Sequence, residues 1–176
     1  MLLIVDDVQM GCGRTGGFFS FELAGISPDI VTLAKSISGY GLPLALTLIK
    51  PECDVWQPGE HNGTFRGNNP AFVTGSAALT EFWADDALEK ATLAKGKTIG
   101  HALEEIADRT PETTITIEPR GRGLARGLAV EPPEMGEAIC WAAFARGLLV
   151  ETSGPNDEVV KLMPPLTATD SELEEG

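Results

Sequence analysis

Little in this chain of 176 residues points to a scaffold held by covalent or metal cross-links. The three cysteines, Cys12, Cys53 and Cys140, are odd in number and far apart, which argues against a disulfide framework and offers no metal-ligand spacing. Cations are scarce as well: 13 lysines and arginines stand against 26 acids, a formal charge of −13. Phosphate contacts need lysine and arginine, so nucleic acid is not an expected partner. Long apolar runs are missing; the longest, Leu42 to Ile49, is interrupted by Pro43 and Thr47 and is too short to cross a bilayer. No membrane partner is expected. Met1 to Val5 is apolar but runs at once into Asp6 and Asp7, with no basic flank and no small-residue cleavage site. A secretory leader is therefore not expected, and the cytoplasm is the expected compartment. What the chain does have is 43% hydrophobic residues and length for one large domain or two small ones.

The stretch from Leu2 to Gly39 organises the rest. Leu2 to Val5 is a short, unbroken aliphatic run and reads as a strand of a parallel sheet covered on both faces, with Asp6 directly after it. Ile30 to Ala34 is a second such run and delivers Lys35. Between them lie a glycine-rich turn, the aromatic patch Phe18, Phe19 and Phe21, and Ser27-Pro28-Asp29, which give the chain room to cross over and return. Chemistry in open α/β sheets gathers at the carboxyl ends of strands. An acid and an amine delivered there are the parts a pyridoxal phosphate site needs, the amine to hold the cofactor and the acid to meet its ring nitrogen.

Two decoys fail on context. Gly11 to Gly16 spells the glycine pattern of dinucleotide-binding turns, but Asp7 to Met10 intervene after the strand and no helix start follows. Gly96-Lys97-Thr98 has Ala91 where a phosphate-binding loop needs its first glycine.

Asp6-Asp7-Val8-Gln9, Gly11-Cys12-Gly13-Arg14-Thr15-Gly16, Pro28-Asp29 and Leu33-Ala34-Lys35-Ser36 together resemble the class III aminotransferases, fold type I pyridoxal 5'-phosphate enzymes. His61 to Asn69 and Glu151 to Glu158 are similar to the branch of that family that exchanges amino groups between L-2,4-diaminobutyrate and 2-oxoglutarate in ectoine synthesis. The resemblance implies that Lys35 holds the cofactor and moves protons, Asp6 keeps its ring nitrogen protonated, Gln9 bonds the ring hydroxyl and Val8 packs on the ring face. Thr64 would bind the phosphate of a neighbouring subunit, implying a homodimer with shared sites, and Arg120 would clamp the carboxylate of an amino donor or 2-oxo acid. Asp7 stands where the wider family more often has glutamate and is not expected to meet the ring.

Taken in order, Leu44 to Ile49 reads as a third strand and Trp56 to Asn69 as a functional loop. A helix capped by Asn69 with Pro70 in its first turn runs to about Trp83. A second helix from Asp85-Asp86 carries Ile99, Leu103 and Ile106 on one face. Strands follow at Thr114 to Ile117 and Leu124 to Val130, joined by a turn at Arg120 to Gly123. Then come a helix from about Met135 to Arg146 ended by Gly147, strands at Leu148 to Glu151 and Val159 to Met163, and a capping box at Thr169 to Glu172. The expected class is α/β: the second half of a fold type I large domain over residues 1–88, then a small α+β domain over 89–176. The chain is expected to be cut at both ends and not to catalyse alone. Another class III enzyme, acting on ornithine, acetylornithine or 4-aminobutyrate, fits the same motifs, as does a non-catalytic domain that keeps only the fold.

Overall fold

The computed structural model describes residues 1–64, 66–111 and 115–176. Phe65 of the expected loop, and Thr113 and Thr114 at the start of the strand expected from there, lie outside the described residues. The chain divides into two compact units, Met1–Glu89 and Lys90–Gly176.

In the first unit the aliphatic runs become β1 (Ile4–Asp6), β2 (Ile30–Leu33) and β3 (Leu46–Ile49). β1 and β2 are parallel, with Asp6 opposite Thr32, and β3 is antiparallel to β2. Alternation along β2 sends Val31 and Leu33 to one face, where they join Cys12 and Ile37 under Phe18, Phe19, Phe21 and Leu44. Asp29 ties the strand starts together, accepting from Leu3 N–H at 2.8 Å and pairing with Lys50 Nζ at 3.0 Å. The expectation of a first strand covered on both faces does not hold. Leu2 is 59% exposed and Ile4 58%. Among the described residues β1 pairs with β2 alone, so one edge and alternate residues stay open. Asp6 is the last residue of the strand itself and is exposed, not buried.

Helix α1 (Asn69–Phe82) starts where expected, with Pro70 in its first turn, but the cap position falls on Asn68 and carries no side-chain cap bond. Gly75 lets α1 approach a short 3-10 turn, Lys35–Ser38: a Cβ on Gly75 would come 3.0 Å from the Ile37 carbonyl oxygen and 2.9 Å from Leu44 Cδ2. The helix therefore backs the lysine-bearing turn.

Helix α2 (Ala87–Arg109) spans the boundary between the units, and Asp85 Oδ1 accepts from Ala87 N–H at 2.8 Å at its start. In the second unit β4 (Thr116–Arg122), β5 (Ala125–Glu131), β7 (Val159–Leu162) and β6 (Glu151–Ser153) form an antiparallel sheet in that order. Ile99 and Leu103 of α2 pack with Ile115, Leu124, Leu128 and Val130, each such burial contributing about 1.5–3 kcal/mol. Gly96 seats the helix on the β4–β5 turn, since a Cβ there would lie 2.5 Å from the Gly123 carbonyl oxygen.

Three expectations are corrected in this unit. Ile106 shares the helical face yet is 46% exposed, because the sheet covers only the earlier turns. Arg120 to Arg122 belong to β4, and the turn is Gly123-Leu124, whose leucine plugs the core at 0% exposure. Leu149 is 82% exposed and β6 forms two to three residues later than expected, where Ser153 to Glu151 pair with Val159 to Lys161. Helix α3 (Glu134–Phe144) ends with Gly147 at φ 93°, the left-handed turn that glycine permits. Helix α4 (Asp170–Glu175) opens on the expected capping box: Thr169 Oγ1 accepts from Glu172 N–H at 3.2 Å and Thr169 N–H donates to Glu172 Oε2 at 2.7 Å. Among the described residues no helix is long and apolar enough to cross a membrane.

Candidate functional site

The parallel register of β1 and β2 decides the site. With Asp6 opposite Thr32, both strands end at one sheet edge, and Lys35 follows β2 after a single residue, Ala34. Asp6 and Thr32 share the open face while Val31 and Leu33 fill the core face. Asp6 Oδ1 accepts from Val8 N–H at 3.1 Å and from the Thr32 hydroxyl at 3.5 Å, which holds the exposed carboxylate at the strand end. Val8 and Gln9 follow, both half-buried.

Lys35 is exposed and sits at φ 55°, a left-handed conformation that costs a residue with a side chain on the order of 1 kcal/mol. The Ser38 hydroxyl donates to the Lys35 carbonyl oxygen at 3.3 Å and accepts from Gly41 N–H at 3.0 Å, fixing the turn. An open cavity of about 470 Å3 lies against Lys35, Ser36, Ser38, Gly39, Gly41 and Leu44. That volume falls in the range of small-ligand sites. Asp6 is at the same sheet edge but does not line this cavity.

The glycine-rich turn is no helix start. Cys12, Gly13 and Gly16 take φ of 54°, 89° and 114°, folding the loop back on itself, and Cys12 N–H donates to the Phe18 carbonyl at 2.7 Å. Burial first, and Asp7 second, push the Cys12 thiol up to about 11, so it is a packing group rather than a nucleophile.

Sequence reasoning set Asp7 aside, yet it is fully buried. The missed signal was the acid pair itself: successive residues at a strand end point to opposite faces, so if Asp6 faces the site its neighbour must turn inward.

Thr64 is exposed in the loop that leads into α1. In the second unit Arg120 donates to Glu118 Oε2 at 2.6 Å, and both side chains are exposed. Each shifts the other, the guanidinium holding the Glu118 carboxyl below its usual range and the carboxylate raising Arg120. A cavity of about 290 Å3 beside them also touches Glu131, Asn156 and Glu158. An incoming carboxylate would meet Arg120 with its fork already engaged.

The donor set suits pyridoxal phosphate: an exposed carboxylate at Asp6, a half-buried aliphatic two residues on at Val8, an amide next to it at Gln9, and the Lys35 amine beside a cavity, all at or after the ends of strands that share one sheet edge.

The class-III aminotransferase family model matches residues 1–176. The chain is 65% identical to a diaminobutyrate–2-oxoglutarate transaminase of Nocardia farcinica and 63% identical to one of Streptomyces anulatus. Each alignment takes in all of this chain, 39% of the first relative and 41% of the second. Among solved structures, an ornithine aminotransferase of Toxoplasma gondii superposes with a TM-score of 0.87 at 30% identity, covering 99% of this chain and 41% of that one. An omega-transaminase of Thermomicrobium roseum gives 0.84 at 28%, covering 99% and 41%. The chain thus spans about two-fifths of the length of the curated relatives it matches, and its α/β architecture is part of the aminotransferase fold. By a match that runs from its first residue to its last, the chain belongs to the class-III aminotransferase family.

Proposed function

We propose that this chain is the part of a pyridoxal phosphate-dependent aminotransferase that carries the cofactor lysine, and that the whole protein moves an amino group between L-2,4-diaminobutyrate and 2-oxoglutarate, as in ectoine synthesis. The observation that carries the proposal is the parallel register that brings Asp6 and Lys35 to one sheet edge. The donor is inferred from the names of relatives above 60% identity.

When bound, the cofactor supplies an electron sink for the substrate carbon that loses its proton. Asp6 presents its carboxylate to hold the proton on the ring nitrogen, and a carboxylate already fixed by Val8 and Thr32 needs little reorganisation to do so. Val8 would support the ring face of the bound cofactor, and Gln9 would donate to its ring hydroxyl. The Lys35 amine takes the proton from the substrate carbon and returns it, with reach set by a turn that α1 backs at Gly75. Arg120 receives the substrate carboxylate in exchange for Glu118. Thr64 would hold the phosphate of a partner subunit's cofactor, which makes the active form a homodimer with shared sites, and its place is the cytoplasm.

Diaminobutyrate and ornithine differ by one methylene, a difference a shaped pocket can turn into about 10–200-fold in kcat/KM. Glutamate formation from 2-oxoglutarate by the full-length protein should favour diaminobutyrate over ornithine, acetylornithine and 4-aminobutyrate by at least about tenfold. A preference for another donor would reassign the substrate. No transfer with any donor, together with no visible absorption from bound cofactor, would leave a non-catalytic domain.

A further inference from the structure

Asp7 is the most constrained acid near the site. Its side chain is fully buried; Oδ2 accepts from Ser20 N–H at 3.0 Å, and Oδ1 has no hydrogen-bond partner among the described residues. Its backbone is engaged too, the N–H donating to the Thr32 carbonyl at 3.0 Å and the carbonyl accepting from Gly11 N–H at 3.0 Å. One residue thus joins the end of β1, the neighbouring strand, the start of the glycine turn and the far side of the loop at Ser20. The fit is close, for a Cβ on Gly11 would lie 2.7 Å from Asp7 Oδ2 and 2.8 Å from its carbonyl oxygen.

A fully buried polar side chain with one of its oxygens left without a donor is costly to keep for packing alone. Groups left in that condition in folded proteins call for an explanation beyond packing. Here the explanation lies in what the clamp encloses: Val8 and Gln9 lie inside the loop whose two ends Asp7 fixes, and Asp6 precedes it on the opposite face.

We propose that Asp7 is a positioning residue, whose buried carboxylate pins residues 7–20 to the sheet and so sets the direction of the Asp6 carboxylate and the Gln9 amide without touching the cofactor. The proposal rests on the function given above and deepens it. Displacements of about 1 Å in such groups can cost 100-fold in rate, so a modest loosening of the loop is enough to be read.

The test uses the full-length holoenzyme. Asp7→Ala should shift the visible absorption band of the bound cofactor, weaken pyridoxal phosphate binding to the apoenzyme by about tenfold and lower kcat by at least about tenfold, with KM for the amino donor within about threefold. Asp7→Asn keeps an oxygen for Ser20 N–H and should recover most of each change. If the alanine variant fails to fold, Gly11→Ala takes its place, because its methyl would press on both Oδ2 and the carbonyl oxygen of Asp7 and so loosen the clamp at its loop end; the same band shift is expected. Unchanged band and cofactor affinity in a folded variant overturn the proposal, as does an asparagine variant no better than alanine. A wild type with no visible band would instead sink the proposed function, so the two failures are distinguishable.

Discussion

Asp6 and Thr32 stand opposite each other on two parallel strands, and the Thr32 hydroxyl donates to Asp6 Oδ1 at 3.5 Å. The contact is at the long limit of a hydrogen bond, so its net contribution belongs near the low end of the usual range, about 0.5 kcal/mol.

From this, Thr32→Val should lower kcat of the full-length enzyme by only about two- to threefold. Asp6→Asn, which removes the charge that holds the ring proton, should lower it by about 100-fold or more. Steady-state kinetics at saturating cofactor compare the two; equal losses would place the decisive group elsewhere.

Lys35 carries both the amine and a left-handed backbone at φ 55°. Lys35→Ala and Lys35→Gly should both abolish transamination, but they should differ in stability. Glycine relieves the strain that alanine keeps, so the glycine variant should unfold at higher denaturant, by about 1 kcal/mol. Urea unfolding of the two apo variants checks this, and a more stable alanine variant would contradict the strain.

Much of this site is visible in sequence because its logic is local. Two aliphatic runs of strand length ending in an acid and an amine define the edge without any three-dimensional information, and the capping box at Thr169 needs only a spacing of three. What sequence hides is non-local. Asp6 and Asp7 are chemically identical neighbours; alternation says that they face opposite ways, but which of the two meets the open face is decided by the packing of β1 and β2. Ile106 has the right helical phase but no sheet beneath it. Arg120 to Gly123 reads as a turn from its glycines, yet cross-strand pairing extends through Arg122 opposite Ala125 and moves the bend by two residues.

The Glu118–Arg120 pair predicts a specific kinetic change. Glu118→Gln should free the guanidinium fork and lower KM for the 2-oxo acid severalfold. Stability should hardly move, since exposed ion pairs contribute little. A KM that does not move would contradict the assignment of Arg120 to the substrate carboxylate.

Burial pushes the Cys12 thiol up to about 11 from the 9.0 of a free thiol. Between those values the unfolded chain releases a proton that the folded chain keeps, so stability should decline as pH rises through that window. Cys12→Ala should flatten the decline. Urea midpoints measured at about pH 8 and pH 10 decide the matter, and equal slopes for the two proteins would contradict it.

The most direct measurement is borohydride reduction of the full-length protein loaded with pyridoxal phosphate, followed by peptide mapping. The cofactor should be found fixed to the Lys35 amine, and Asp6→Asn should alter the visible spectrum of the bound cofactor before reduction. A label on any other lysine, or none, would contradict the claim that the ends of β1 and β2 form the cofactor site.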